Sequence, residues 1–254
     1  MGRTNISWTN ETWNPVTGCS HVSEGCRFCY AETLSLRHGW STKPWTARNA
    51  AENVRLHPDR LDDPLHWRKP RMVFVNSMSD LFHELVPLDF LARIWDVMVR
   101  TPQHTYQILT KRPERMRTML GPSGIGFYAV DGPVPRPQPN IWLGISAEDQ
   151  GMAASRLAEL VQTPAAVHFV SCEPLLGDID VTPWLWNLQW LICGGESGHG
   201  HRPMDVAWLI SLVEQCRDAG VPYFVKQDSG RLPGRQGRIP DAYWIHEWPE
   251  GVKA

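Results

Sequence analysis

No apolar run in this sequence reaches the roughly 18 positions that a membrane-spanning helix requires. The opening stretch Met-Gly-Arg-Thr-Asn-Ile lacks a basic segment leading into an apolar one, so no secretory signal is expected and the chain is read as cytoplasmic. Excess charge is missing too. Lys and Arg number 25 against 27 Asp and Glu, a formal net charge of −2 that excludes a global footprint for nucleic acid or an anionic membrane. Hydrophobic residues at 42% and charged residues at 20% exclude wholesale disorder, and no internal repeat is visible. The glycine-rich stretch Gly194 to Gly198 lacks the lysine and spacing of a P-loop and the pattern of a dinucleotide fingerprint.

What is present fits one large α/β domain: 254 residues, with 13 tryptophans expected mostly in the core or in a cleft wall. Short apolar runs at Met72 to Val75, Thr105 to Leu109, Ile141 to Ile145, Val167 to Val170, Leu188 to Cys193 and Pro222 to Val225 read as strands, after a first one at Thr12 to Thr17. Helical patterns fill the gaps at Leu88 to Val99, Pro113 to Leu120, Met152 to Val161 and Val206 to Ala219, the last closed by Gly220. Alternation of this kind predicts parallel strands joined by helical crossovers over residues 1–230. Residues 121–140, rich in glycine and proline, read as a loop or lid. After residue 230 the rhythm stops, and 231–254 are expected to pack as an extension on the barrel, with Tyr243, Trp244, Trp248, Arg231, Arg235 and Arg238 available to do so.

Nearly every strand runs into a polar cluster. Val75 is followed by Asn76 to Asp80, Leu109 by Thr110-Lys111-Arg112, and Ile145 by Ser146-Ala147-Glu148-Asp149. Val170 leads to Ser171-Cys172-Glu173, Cys193 to Gly194-Gly195-Glu196, and Val225 to Lys226-Gln227-Asp228. Parallel strands gather their carboxyl ends on one face, so these clusters should meet there and form the active site.

Six cysteines in a reducing compartment are ligands, reactive thiols or small buried hydrophobes rather than a disulfide framework. Cys19, Cys26 and Cys29 fall within eleven residues in the order C-x6-C-x2-C. Three thiolates on a compact loop can hold three irons of a [4Fe-4S] cube and leave the fourth open. A second possibility comes from His21, since Cys19, His21, Cys26 and Cys29 could make a tetrahedral zinc site.

In its cysteine loop, in Phe28 immediately before Cys29, and in the segments Ser77-Met78-Ser79-Asp80-Leu81-Phe82, Cys172-Glu173-Pro174-Leu175 and Gly194 to Gly198, the chain resembles the radical S-adenosylmethionine superfamily. The likeness is closest to a phage-associated three-cysteine branch whose members are mostly uncharacterised, and it spans roughly residues 10–228. Six residues rather than three separate the first two cysteines here.

That resemblance implies an α/β fold of the partial (β/α)6 TIM-barrel type with outer helices, and an enzyme that uses a [4Fe-4S] cluster and S-adenosylmethionine to generate a 5′-deoxyadenosyl radical. Cys19, Cys26 and Cys29 would hold the cluster. Ser77, Ser79 and Asp80 would accept from the methionine amine, and Lys111 or Arg112 would pair with its carboxylate. Ser146 and Glu148 are candidates for the ribose, Gly194 and Gly195 for adenine or ribose, and Glu173 and Glu196 complete the candidate cofactor shell. Cys172, as a hydrogen-atom donor, and Lys226 are the catalytic candidates. An external electron donor would be required. The substrate is unknown: a nucleotide or DNA base is plausible, and a small molecule or a peptide stays open. Arg68, Lys69 and Arg71, the Lys111 to Arg117 cluster and the late arginines could line a phosphate-binding surface, although scattered charge on solvated faces is the preferred reading of them. The competing reading is a zinc-stabilised, non-catalytic nucleic-acid-binding module of phage origin.

Overall fold

Period-two alternation governs the sheet. In the run Met72 to Val75, Val73 and Val75 pack toward the helices, whereas Met72 and Phe74 join the aromatic residues of the opposite face. A computed structural model describes residues 4–121, 128–129, 132–133 and 137–250. Seven strands form one sheet: β1 (Glu11–Thr12), β2 (Met72–Val75), β3 (Thr105–Thr110), β4 (Ile141–Ser146), β5 (Val167–Cys172), β6 (Trp190–Gly194) and β7 (Tyr223–Gln227). Their order in space is their order in the chain, and every neighbouring pair is parallel. The sheet curls into a half-barrel flanked by helices, the partial TIM-barrel type expected.

Among the described residues, the helices of eight residues or more are α1 (Tyr30–Arg37), α2 (Leu88–Arg100), α3 (Pro113–Leu120), α4 (Gln150–Leu160) and α5 (Val206–Ala219). Asp149 caps α4 by accepting from the Met152 N–H at 2.9 Å, and Asp205 caps α5 through the Ala207 N–H at 2.9 Å. Gly220 ends α5 with φ +67°, the left-handed conformation that favours glycine. The β5 to β6 crossover uses a 3-10 segment, Thr182–Asn187, in place of an α-helix.

The first strand is shorter than expected. Only Glu11–Thr12 join the sheet, while Val16–Thr17 turn away to pair antiparallel with Arg55–Leu56. Pro15 lies between the two pieces, and a residue without an N–H cannot continue a ladder. Parts of the expected excursion at 121–140 lie outside the described residues.

Two hydrophobic clusters follow from the alternation. The larger lies between sheet and helices; the smaller fills the hollow of the half-barrel with Trp8, Met72, Phe74, Trp142, Phe169, Trp190, Ile192 and Phe224. Trp190 is its hub, with ring centroids of Trp8, Trp142, Phe169 and Phe224 at 6.2, 6.1, 5.7 and 6.4 Å. Gly144 makes room there, since a Cβ would sit 2.4 Å from the Phe169 ring. Beyond β7, the chain returns so that Val225 N–H donates to Ile245 O and Glu247 N–H to Tyr223 O, both at 2.9 Å, which covers the exposed edge of the sheet. No described helix is long and apolar enough to cross a membrane.

Replacing Trp190 with alanine removes a fully buried ring and the 2.8 Å bond from its Nε1 to Glu247 O. The expected cost is about 3–5 kcal/mol, measured as a shift in the urea unfolding midpoint; a loss under about 1 kcal/mol would show that the hollow is not a packed core.

Candidate active site at the carboxyl ends of the strands

The cysteine loop begins at Gly18, where φ is +82° and a Cβ would lie 1.9 Å from Asn53 O, so only glycine fits. Apart from the 3-10 turn Glu24–Cys26 the loop has no regular structure before α1, and polar groups from the strand ends hold it. Arg112, just after β3, donates to both the carbonyl and the hydroxyl of Ser20 at 3.0 Å. Tyr30 Oη donates to Ser77 O at 2.7 Å, and Arg202 donates to Glu24 O at 3.0 Å. From beneath, Glu148 accepts the Gly25 N–H at 3.3 Å.

Glu148 is completely buried and pairs with Arg156 of α4 at 2.8 Å. Burial opposes its ionisation, but Arg156 and the Ser23 hydroxyl outweigh that, and the carboxyl is held below the ordinary carboxylate range. It therefore anchors the loop and does not line the cavity.

Two adjoining cavities open over the strand ends. The three loop thiols line one of them, together with Asn76, Asp80 and Lys111; Glu173, Lys226, Ser171, Glu196, Phe28 and Trp8 border the other. Cys29, Tyr30, Phe74, Leu109, Lys111 and Ser146 belong to both. Burial pushes the Cys19 thiol up to about 12, with Asp80, Cys26 and Cys29 adding to the rise and Arg112 opposing it. Burial likewise raises Cys29, against the pull of Lys111 and the backbone at the start of α1. Thiols in this setting stay protonated unless a cation replaces the protons.

The expected residues divide by what their polar atoms already do. Ser77 exchanges bonds with Asn14, and Ser79 donates to Val16 O at 2.9 Å. Asp80 accepts from Thr110 Oγ1 at 2.7 Å and from the Lys111 and Phe82 N–H groups at 3.0 Å, so these three residues both border the thiol cavity and brace its wall. Arg112 is committed to Ser20 and, at 3.1 Å, to Glu84. Lys111 is different: among the described residues its ammonium has no ion-pair partner, and it borders both cavities. Lys226 pairs with Glu173 at 3.0 Å on the inner wall, and Glu173 accepts from Ser171 Oγ at 3.2 Å.

Glu196 is nearly buried and taken by Arg202 at 2.7 Å. Gly195 is required by packing, since a Cβ would lie 2.3 Å from Ser229 N; Gly194 sits beside Glu173 and Gln227.

Cys172 does not reach the cavity. Alternation points Ser171 inward and Cys172 toward the helices, where it is fully buried in register with Cys193 and near Cys216, and burial raises its pKa. Its expected role as a hydrogen-atom donor is corrected accordingly. Asn76 was not among the expected ligands. It continues the inward alternation of β2 past Phe74, and its buried Oδ1 has no donor among the described residues.

Among the described residues no three His, Cys, Asp or Glu side chains meet closely enough to hold a metal ion, and His21 Nε2 is engaged by Glu32 at 2.6 Å.

Residues 3–239 match the family described as protein of unknown function (DUF5131), and the chain belongs to that family. Neither the curated proteins nor the solved structures contain a match.

Glu148→Gln leaves the Arg156 guanidinium buried without its counter-charge, an expected loss of about 3–5 kcal/mol at neutral pH. Because the folded-state pKa of Glu148 is depressed, its contribution is present above the unfolded value of about 4 and fades as pH falls through the folded one. Urea midpoints of the two proteins should converge on acidification; a gap constant down to about pH 3 contradicts the anchoring role.

Proposed function

We propose that this protein is an iron-sulfur, S-adenosylmethionine-dependent radical enzyme. The observation that carries the reading is three thiols from one loop bordering a single cavity at the carboxyl mouth of a parallel half-barrel, with no fourth thiol beside them. A cube spreads three cysteines over three irons, so it does not need their sulfurs to converge on one point as a single zinc ion does. Bound there, a [4Fe-4S] cluster would chelate the amino and carboxylate groups of S-adenosylmethionine and, once reduced by an external donor, supply the electron that releases a 5′-deoxyadenosyl radical.

The chain's own share is binding and exclusion. Lys111 offers an unpaired cation for the methionine carboxylate. Asn76 Oδ1 and the Asp80 carboxylate offer acceptors for the ammonium. Ser146, which borders both cavities, suits a ribose hydroxyl. Lys226 and Glu173 face the inner end, where a neutral ion pair can grip a substrate without leaving a buried net charge. Aromatic walls from Phe28, Tyr30 and Phe74 favour a flat substrate, in keeping with a nucleotide or nucleic-acid base. Exposure-sensitive thiols of this kind call for a reducing cytoplasm.

Anaerobic reconstitution with iron and sulfide is expected to give a brown protein with about four irons per chain, and dithionite with S-adenosylmethionine should yield 5′-deoxyadenosine. Cys26→Ala should lose both. A colourless protein that retains one zinc, or full cleavage by Cys26→Ala, overturns the proposal. Lys111→Ala should keep its iron and bind S-adenosylmethionine at least tenfold more weakly, by about 1.4 kcal/mol, as read by equilibrium dialysis; unchanged affinity removes Lys111 from the site.

A further inference from the structure

Most of the arginines weighed for a phosphate surface are already engaged by other groups of the protein. Arg71 pairs with Glu11 and lies over the Trp67 ring at 4.8 Å, Arg117 pairs with Glu159, and Arg238 pairs with Asp228 at 2.8 Å. Arg115 donates to Glu84 O and Val86 O at 3.2 and 2.6 Å.

The free charge lies elsewhere, in the excursion between β1 and β2 that carries the cysteine loop. Residues 27–60 hold six Arg and Lys against three Asp and Glu, in a chain whose net charge is −2. Arg37 and Arg48 are exposed and have no ion-pair partner among the described residues. Apolar side chains gather in the same place. Of the nine large exposed ones among the described residues, Val22, Phe28, Tyr30, Leu36 and Trp40 fall within 22–40.

Two of these are arranged as stacking platforms. Trp40 is 56% exposed, and the His38 ring stacks on it at 4.9 Å and 24°. Its N–H donates to Ser35 O at 2.8 Å, which folds Trp40 back against the end of α1 beside Arg37. Phe28 lies at the cavity mouth with the guanidinium groups of Arg27 and Arg202 5.4 and 5.3 Å from its ring centre. Arg27 and Arg202 are themselves paired, with Glu24 and with Glu196, so the free cations within residues 27–48 are Arg37 and Arg48. Exposed rings with free arginines in the same stretch are what a single strand of nucleic acid requires: rings for bases, guanidinium groups for phosphates. An acidic protein partner would satisfy the charge but give the exposed area of the Trp40 and Phe28 rings nothing flat to pack against.

We propose that the exposed face of residues 27–48 binds single-stranded nucleic acid and leads it across Phe28 to the cavity mouth. The proposal goes beyond the radical chemistry and needs neither iron nor S-adenosylmethionine, so each can fail without the other. Its test is fluorescence anisotropy of a fluorescein-labelled thymidine oligonucleotide of about 12 nucleotides, titrated with the purified full chain at several salt concentrations. Binding should weaken with salt, and Trp40→Ala should weaken it about tenfold, the loss of one stacked base. Arg37→Gln with Arg48→Gln should lower the log–log salt slope by about 1.4, two phosphates at 0.7 each. Arg68→Gln with Lys69→Gln, outside this face, should bind as the parent does, and circular dichroism of each variant checks folding. No binding at low salt, a folded Trp40→Ala variant that binds unchanged, or polyglutamate competing as well as the oligonucleotide would overturn the proposal.

Discussion

A loop with almost no regular structure of its own can present three thiols to one cavity only if something rigid holds it, and here that is the buried carboxylate of Glu148. The group sits one turn beyond β4, fully enclosed, between the Arg156 guanidinium and the Gly25 amide. A Cβ at residue 25 would lie 2.8 Å from that carboxyl, so glycine is what allows the loop to descend onto it. An enclosed charge pair contributes little net stability against apolar packing, but it fixes one geometry, because breaking it strands a charge. Arg112 and Arg202 tie the loop from two further strand ends. The candidate site thus draws its shape from the sheet, although its thiols stand on a loop.

This division of labour explains the pattern of charges around the cavity. Glu148, Glu196, Asp80 and Arg112 are all committed to partners within the fold, as are the Lys226 and Glu173 pair. Lys111 stands apart with no such partner among the described residues. Asp80 accepts only from neutral donors, so among the described residues the thiol cavity is bordered by one carboxylate and one ammonium outside any ion pair, a polarity that suits a ligand carrying both signs of charge. The same accounting on the outer surface separates Arg37 and Arg48, which have no ion-pair partner among the described residues, from Arg71, Arg117 and Arg238, which do.

Much of the fold was readable in the sequence because its strands alternate cleanly. Helices Pro113–Leu120 and Val206–Ala219 stand where the periodicity put them. Convergence of the strand-end clusters followed from parallel topology alone. What could not be read was which member of each cluster faces the cavity, since a one-residue step reverses the side chain. Ser171 and Cys172 show this, one inward and one among the helices, and Asn76 could have been found by carrying the alternation of β2 one step further. The anchoring of Glu148 was not legible for another reason: its partner Arg156 lies on α4, and nothing in the sequence pattern announces a buried pair. Gly194 and Gly195 look like a ligand turn in sequence, whereas Gly195 is needed where two backbones pass.

On the proposed reading, one iron of the bound cluster would be left open to an incoming ligand. Electron paramagnetic resonance of the reconstituted, dithionite-reduced protein tests it directly, with spectra taken before and after S-adenosylmethionine is added. A change in the g-values on addition is what the account predicts, because the ligand then binds iron. Spectra that superimpose, from a protein carrying its full iron complement, would contradict it.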